Sequence, residues 1–173
     1  FTLDEQTKAI CRTIALDDRT PTGIAVGLDA VWVAHGRLGE VSRVDPQFGL
    51  TTTLDLAEPS DDGEVAFGDG AVWAVYGEST LARVDPILVQ RTGQGLAGAS
   101  PAGIVYARKR LWVANRDEQT VSRFYPATFQ EGSLPPIFVG QGPAAIAFGA
   151  NAIWVANKDD GTVTRIDRLA AAP

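Results

Sequence analysis

The one histidine of this chain, His35, ends the phrase Ala30-Val31-Trp32-Val33-Ala34, and Tyr76, Asn115 and Asn157 hold the same place after three similar phrases. Charged groups follow each within two residues: Arg37, Glu78, Arg116 with Asp117, and Lys158 with Asp159. Such a set mixes donors, acceptors and both signs of charge, so it suits recognition of a polar small molecule or a protein patch. It does not suit catalysis. The chain shows no Gly-rich phosphate loop, nucleophile elbow, zinc spacing or plausibly spaced Ser-His-Asp trio, so no residue is assigned a catalytic role. Asp159-Asp160-Gly161 reads as a turn, because two acids fall far short of the six to eight oxygens that calcium takes. No metal or other cofactor is expected, and the chain reads as a binding protein.

These residues need elements to hold them at one end of a repeated unit. Tryptophans recur at Trp32, Trp73, Trp112 and Trp154, each inside a strand-like phrase, at intervals near 40 residues. Before each lies a small-residue strand, such as Gly23-Ile24-Ala25-Val26-Gly27 or Ala145-Ile146-Ala147-Phe148-Gly149. After each comes a third strand with a recurring arginine: Arg43, Arg83, Arg123 and Arg165. Three of these stand two residues before Asp45, Asp85 and Asp167, on the same strand face, so structural pairing is expected rather than an anion site. A fourth strand follows proline turns at Pro46, Pro86 and Pro126. Four short strands per unit make a propeller blade. The tryptophans, mid-strand at equivalent positions, are expected to pack blade on blade.

The fold class is therefore all-β, a propeller of four-stranded antiparallel blades, with four repeats in a single domain over 1–173. The blades are read at approximately 21–58, 62–98, 101–140, and 143–167 completed by 1–18. That last blade lacks a fourth strand of its own, and Lys8 to Leu16 supplies the alternation of one, so the N-terminal strand is expected to close the ring. Three architectures follow, in this order: a closed four-bladed monomer, two chains completing an eight-bladed ring, and a fragment of a longer array. With no methionine, even at position 1, the chain reads as processed or as a segment of a longer protein.

Composition agrees and excludes alternatives. Of 173 residues, 45% are hydrophobic, enough for a sizeable core, while 18 glycines and 10 prolines fit many short strands with tight turns. A net charge of −6 offers no basic footprint for nucleic acid. No apolar run is long enough to insert this segment in a membrane as a helix. The lone Cys11 excludes an internal disulfide and reads as a small strand residue.

The phrases Pro-x-Gly-Ile-Ala, Val-Trp-Val-Ala-Asn and Val-x-Arg-Ile-Asp resemble the repeats of the YVTN and streptogramin lyase group of bacterial β-propellers, over nearly the whole chain. The resemblance implies a bacterial sensor or scaffold domain, periplasmic or at the cell surface, with the cytoplasm as the alternative. The lyases of that group use paired histidines with a glutamate and magnesium, a set that His35 alone does not supply, so the alternative to a binding domain is a metal-dependent, lyase-like enzyme that has lost, or lacks in this segment, its catalytic residues. In a propeller the loops after the second strands, together with the connectors between blades, share one face. That face is expected to bind a protein or small polar ligand through the residues named above.

Overall fold

The computed structural model describes residues 13–130, 132 and 135–167. Each tryptophan phrase forms the second strand of an antiparallel sheet whose strands follow one another in chain order. Blade 1 comprises β1 (Gly23–Gly27), β2 (Ala30–His35), β3 (Glu40–Val44) and β4 (Thr51–Asp55). Blade 2 comprises β5 (Glu64–Gly68), β6 (Ala71–Tyr76), β7 (Thr80–Asp85) and β8 (Gln90–Leu96). Blade 3 comprises β9 (Pro101–Ala107), β10 (Arg110–Asn115), β11 (Thr120–Phe124) and the short β12 (Ile137–Phe138). Blade 4 shows β13 (Pro143–Gly149), β14 (Ala152–Asn157) and β15 (Thr162–Ile166) among the described residues. The fold is a four-bladed β-propeller.

Two details differ from simple repetition. The fourth strand of blade 3 pairs only through Thr120 with Phe138 and Val121 with Ile137. Pro135 and Pro136 just before it have no N–H to give a ladder. The strand expected over Lys8 to Leu16 to complete blade 4 lies, up to residue 12 and including Cys11, outside the described residues; Thr13 to Leu16 form no strand.

Tight turns join the first two strands of every blade. Leu28-Asp29, Asp69-Gly70, Arg108-Lys109 and Ala150-Asn151 all take positive φ at both positions, as a two-residue turn matched to strand twist requires. Asp45 and Asp85 shape the next hairpin: each carboxylate accepts two backbone N–H groups of the following turn, from Gln47 and Phe48 or from Ile87 and Leu88.

Because side chains alternate along a strand, each blade has two faces, and sequence puts apolar residues on both. The tryptophan face of one blade packs on the opposite face of the next. Ala30, Trp32, Ala34 and Val41 of blade 1 meet Val65, Val72, Ala74 and Tyr76 of blade 2. Trp73 and Leu81 of blade 2 meet Ile104, Leu111 and Val113 of blade 3, and Trp112 and Val121 of blade 3 meet Ile153 and Val155 of blade 4. The innermost strands contact in series, β1 with β5, β5 with β9 and β9 with β13.

Glycine at the end of an innermost strand makes this stacking close. A Cβ on Gly27 would lie within 2.1 Å of the Phe67 ring, and one on Gly68 within 2.1 Å of the Tyr106 ring. The next blade's aromatic thus fills the space where a side chain would stand. The indoles are anchored at the same point: Trp73, Trp112 and Trp154 donate Nε1–H to the carbonyls of Gly68, Ala107 and Gly149 at 2.9, 3.3 and 3.0 Å. Each tryptophan stands opposite the recurring arginine across the ladder. Arg123 and Arg165 lie over the Trp112 and Trp154 rings at 5.7 and 5.2 Å, and Arg165 also pairs with Asp167 at 2.7 Å, as the spacing predicts.

Trp73→Ala is expected to cost about 3–5 kcal/mol, since a fully buried ring leaves a cavity between blades 2 and 3. Gly68→Val should cost about 1–3 kcal/mol through the clash with Tyr106. Urea unfolding of the two variants checks both, and a loss below 1 kcal/mol for Trp73→Ala would contradict the packing described.

Candidate functional site

The four residues that end the second strands divide from the charged residues that follow them. His35, Tyr76, Asn115 and Asn157 are all buried, so the structure places them beneath the loops rather than on the surface. His35 Nε2 and Ser42 Oγ are 2.9 Å apart, and Ser42 Oγ lies 2.9 Å from Thr53 Oγ1, a chain running across β2, β3 and β4. Asn115 Nδ2 donates to Thr120 Oγ1 and Ser122 Oγ, both at 3.0 Å. Asn157 Nδ2 repeats this with Thr162 and Thr164, both at 2.9 Å. Tyr76 accepts from Arg91 at 3.3 Å. In blades 1, 3 and 4 one physical task is thus solved by different side chains, a polar group at the end of the second strand bonding hydroxyls on the third, whereas Tyr76 of blade 2 reaches Arg91 on the fourth strand.

The charged residues lie on the loops, and the connectors between blades hold them there. Asp117 accepts a hydrogen bond from Ser100 Oγ at 2.6 Å, and Glu118 from the backbone N–H of Ala99 at 3.0 Å. In blade 4 the same role falls to Asp160, which accepts from Gln141 N at 2.7 Å and from both Thr162 donors. These bonds hold its carboxyl below the usual range, the Thr162 hydroxyl first. The turn reading of Asp159-Asp160-Gly161 therefore has a partner for its second acid. Among the described residues, no group of three or more His, Cys, Asp or Glu is placed to hold a metal.

Loops of different blades converge on Arg116. Its guanidinium forms an ion pair with Asp62 from the connector between blades 1 and 2. Hydrogen bonding to Asp62, and then the charges of Asp62, Asp159 and Asp117, raise its pKa further. Arg116, Asp117 and Asp159 are thus brought together, with Asp62 joining them. Arg37 is exposed and pairs loosely with Asp61 at 3.8 Å, while Glu78 and Lys158 have exposed side chains and supply a backbone carbonyl and N–H to the connectors.

Sequence reasoning read Asp160 only as part of a turn and missed Glu118 on the equivalent loop of blade 3, although an acid three places after the second strand was the available signal in both; it also missed Asp62, on the connector between blades 1 and 2, for which no such signal stands. It also missed Glu64. This carboxylate replaces the small residue found at the same innermost-strand position in the other blades, Gly23, Gly103 and Ala145. It packs against Gly23 and accepts the N–H of Val65 at 2.9 Å. Burial pushes its pKa up to about 7, against backbone hydrogen bonds from Val65 and Ile24 that lower it. His35 moves the other way: burial lowers its pKa, outweighing a hydrogen bond to Thr20 and the charge of Glu40, so it stays neutral.

No protein-family model matches the sequence, and no curated protein matches it. Solved structures do match in fold. The computationally designed Ika4 protein superposes with a TM-score of 0.67 at 18% identity, covering 88% of this chain and 94% of that one. Hydrazine synthase of Kuenenia stuttgartiensis gives 0.74 at 16% identity, covering 92% of this chain and 49% of that one. A catalytically inactive virginiamycin B lyase from Staphylococcus aureus, solved with quinupristin, gives 0.66 at 18% identity, with 89% and 57% covered. This chain spans about half the length of these two natural neighbours. At such identities the likeness is one of fold, and the fold it supports is the β-propeller.

The two shifted groups set opposite pH dependences. Glu64, with its folded pKa raised, contributes stability that is complete below pH 4.5 and lost as pH rises towards about 7. His35, with its folded pKa lowered, contributes stability present above pH 6.5 and lost on acidification. Glu64→Gln is therefore expected to gain on the order of 1–3 kcal/mol at pH 8 and little at pH 4. His35→Asn, which copies blade 3, should flatten the acid limb. Urea midpoints across pH 4–8 test both, and a Glu64→Gln gain independent of pH would contradict the assignment.

Proposed function

We propose that the protein is a non-catalytic binding or scaffold propeller whose loop face engages a protein partner or a small polar ligand. One observation carries this reading. The side chains best suited to chemistry, His35 above all, are buried and committed to hydrogen bonds inside the blades, whereas Arg37, Glu78, Asp117, Lys158 and Asp159 lie exposed on connected loops. A surface of mixed charge on a rigid scaffold is suited to recognition.

The repeat phrases support placing it within the YVTN and streptogramin lyase group, and the virginiamycin B lyase superposition agrees with that in fold. A sensor role in a bacterial protein, periplasmic or at the cell surface, follows from the resemblance. No helix among the described residues is long and apolar enough to cross a membrane.

Substituting Arg37, Glu78 and Lys158 together by serine should leave the unfolding temperature within about 2 °C, because such exposed groups contribute little to stability. Affinity capture from a bacterial envelope extract, read by quantitative mass spectrometry, should show proteins retained by the native chain and lost from the triple variant. Equal retention by both would overturn the assignment to this face.

A further inference from the structure

The series of blade contacts has two ends, and among the described residues both present an interface surface with nothing upon it. Val65 and Ile104, through which blades 2 and 3 contact the blade before them, are 3% and 5% exposed; Ile24, their counterpart in blade 1, is 68% exposed, and Val26 beside it 72%. On blade 4 the tryptophan face is open in the same way. Val163 is 66% exposed, where its counterparts Val41, Leu81 and Val121 are at most 1%. The fit between the two ends is specific. Val26 is the repeat equivalent of Phe67 and Tyr106, the side chains that fill the spaces over Gly27 and Gly68. Gly149 is the repeat equivalent of those glycines, and among the described residues nothing lies within 4 Å of the position its Cβ would take. One end carries the knob of a blade-to-blade contact, and the other carries the empty hole.

We propose that a second copy of this chain occupies both ends, with Val26 of each copy seated over Gly149 of the other, so that two four-bladed arcs close into one eight-bladed ring. The contact continues an interface already used three times within the chain. A head-to-tail contact leaves a free knob and a free hole unless rotation closes it, and two copies form the smallest closed assembly. Closing the ring also covers the exposed apolar residues at both seams, which would otherwise invite open-ended association. This places the eight-bladed assembly ahead of the closed monomer that the phase of the termini favoured.

Val26→Asp and Gly149→Phe test this, because Val26 is largely exposed and a Gly149 side chain meets nothing among the described residues of one chain. Light scattering after gel filtration should give about twice the 18.3 kDa of a single chain for the native protein. Each variant should weaken the dimer by about 30-fold or more and keep the native circular dichroism spectrum. Mixing the two variants should restore dimers, because one of the two seams is then unmodified on both sides. Ile24→Asp and Val163→Asp repeat the test if either first variant fails to fold. A native protein that stays monomeric, oligomers that grow without limit with concentration, or loss of the dimer from only one of the two faces would each overturn the proposal.

Discussion

Everything in this propeller depends on the contact of one blade with the next. A single four-stranded sheet with apolar residues on both faces cannot bury them alone; stacking lets the tryptophan face of one blade cover the opposite face of its neighbour. The contact is dense because small and large residues alternate across it, glycine on one strand opposite an aromatic on the next. It also locates the axis: innermost strands carry the small residues because neighbouring blades approach most closely there. With a core of this kind, stability is divided among three similar interfaces within the chain, and Trp32, Trp73 and Trp112 each sit fully within one of them.

The loop face is a by-product of that stacking. Each connector leaves the outer edge of one blade and enters the axis of the next, passing over the ends of the second strands, and loop acids hold the connectors that follow blades 2 and 3. Asp117 and Glu118 hold Ser100 and Ala99, and Asp160 holds Gln141. What these bonds leave exposed is a rigid array of charged tips, with Arg116 at the meeting of loops from several blades. Because the loops carrying these tips are already hydrogen-bonded to the connectors, a partner has side chains rather than backbone to order, which lowers the entropic cost of recognition.

The period, strand order and packing role of the tryptophans were legible because they repeat, and a repeat in sequence forces a repeat in space. The direction of the residues at the strand ends was not. His35, Tyr76, Asn115 and Asn157 end apolar runs and precede charged loops, which in an isolated sheet would put them at the solvent boundary. In the second strands of the first three blades nearly every position is covered, so the usual alternation of buried and exposed residues fails and the last residue is buried as fully as those before it. Hydroxyls one strand away at Ser42, Ser122 and Thr164 were the hint, since each lies seven residues after its partner. Glu64 escaped notice because an acid among small residues on an innermost strand reads as a surface position until Gly23 is seen beside it. The unequal ends of the array were likewise hidden, because Val26 and Gly149 differ from their equivalents only in what lies opposite them.

Amide hydrogen exchange resolved by strand tests the primacy of the blade contact most directly. If stacking holds the fold, the amides of β6 and β10, buried between neighbours on both sides, exchange slowest and together, at rates set by global unfolding, while β4 and β8 at the rim exchange through local opening. Rates that are uniform across the four strands of a blade, or β6 exchanging as fast as β4, would show that single sheets rather than the contacts between them hold the structure.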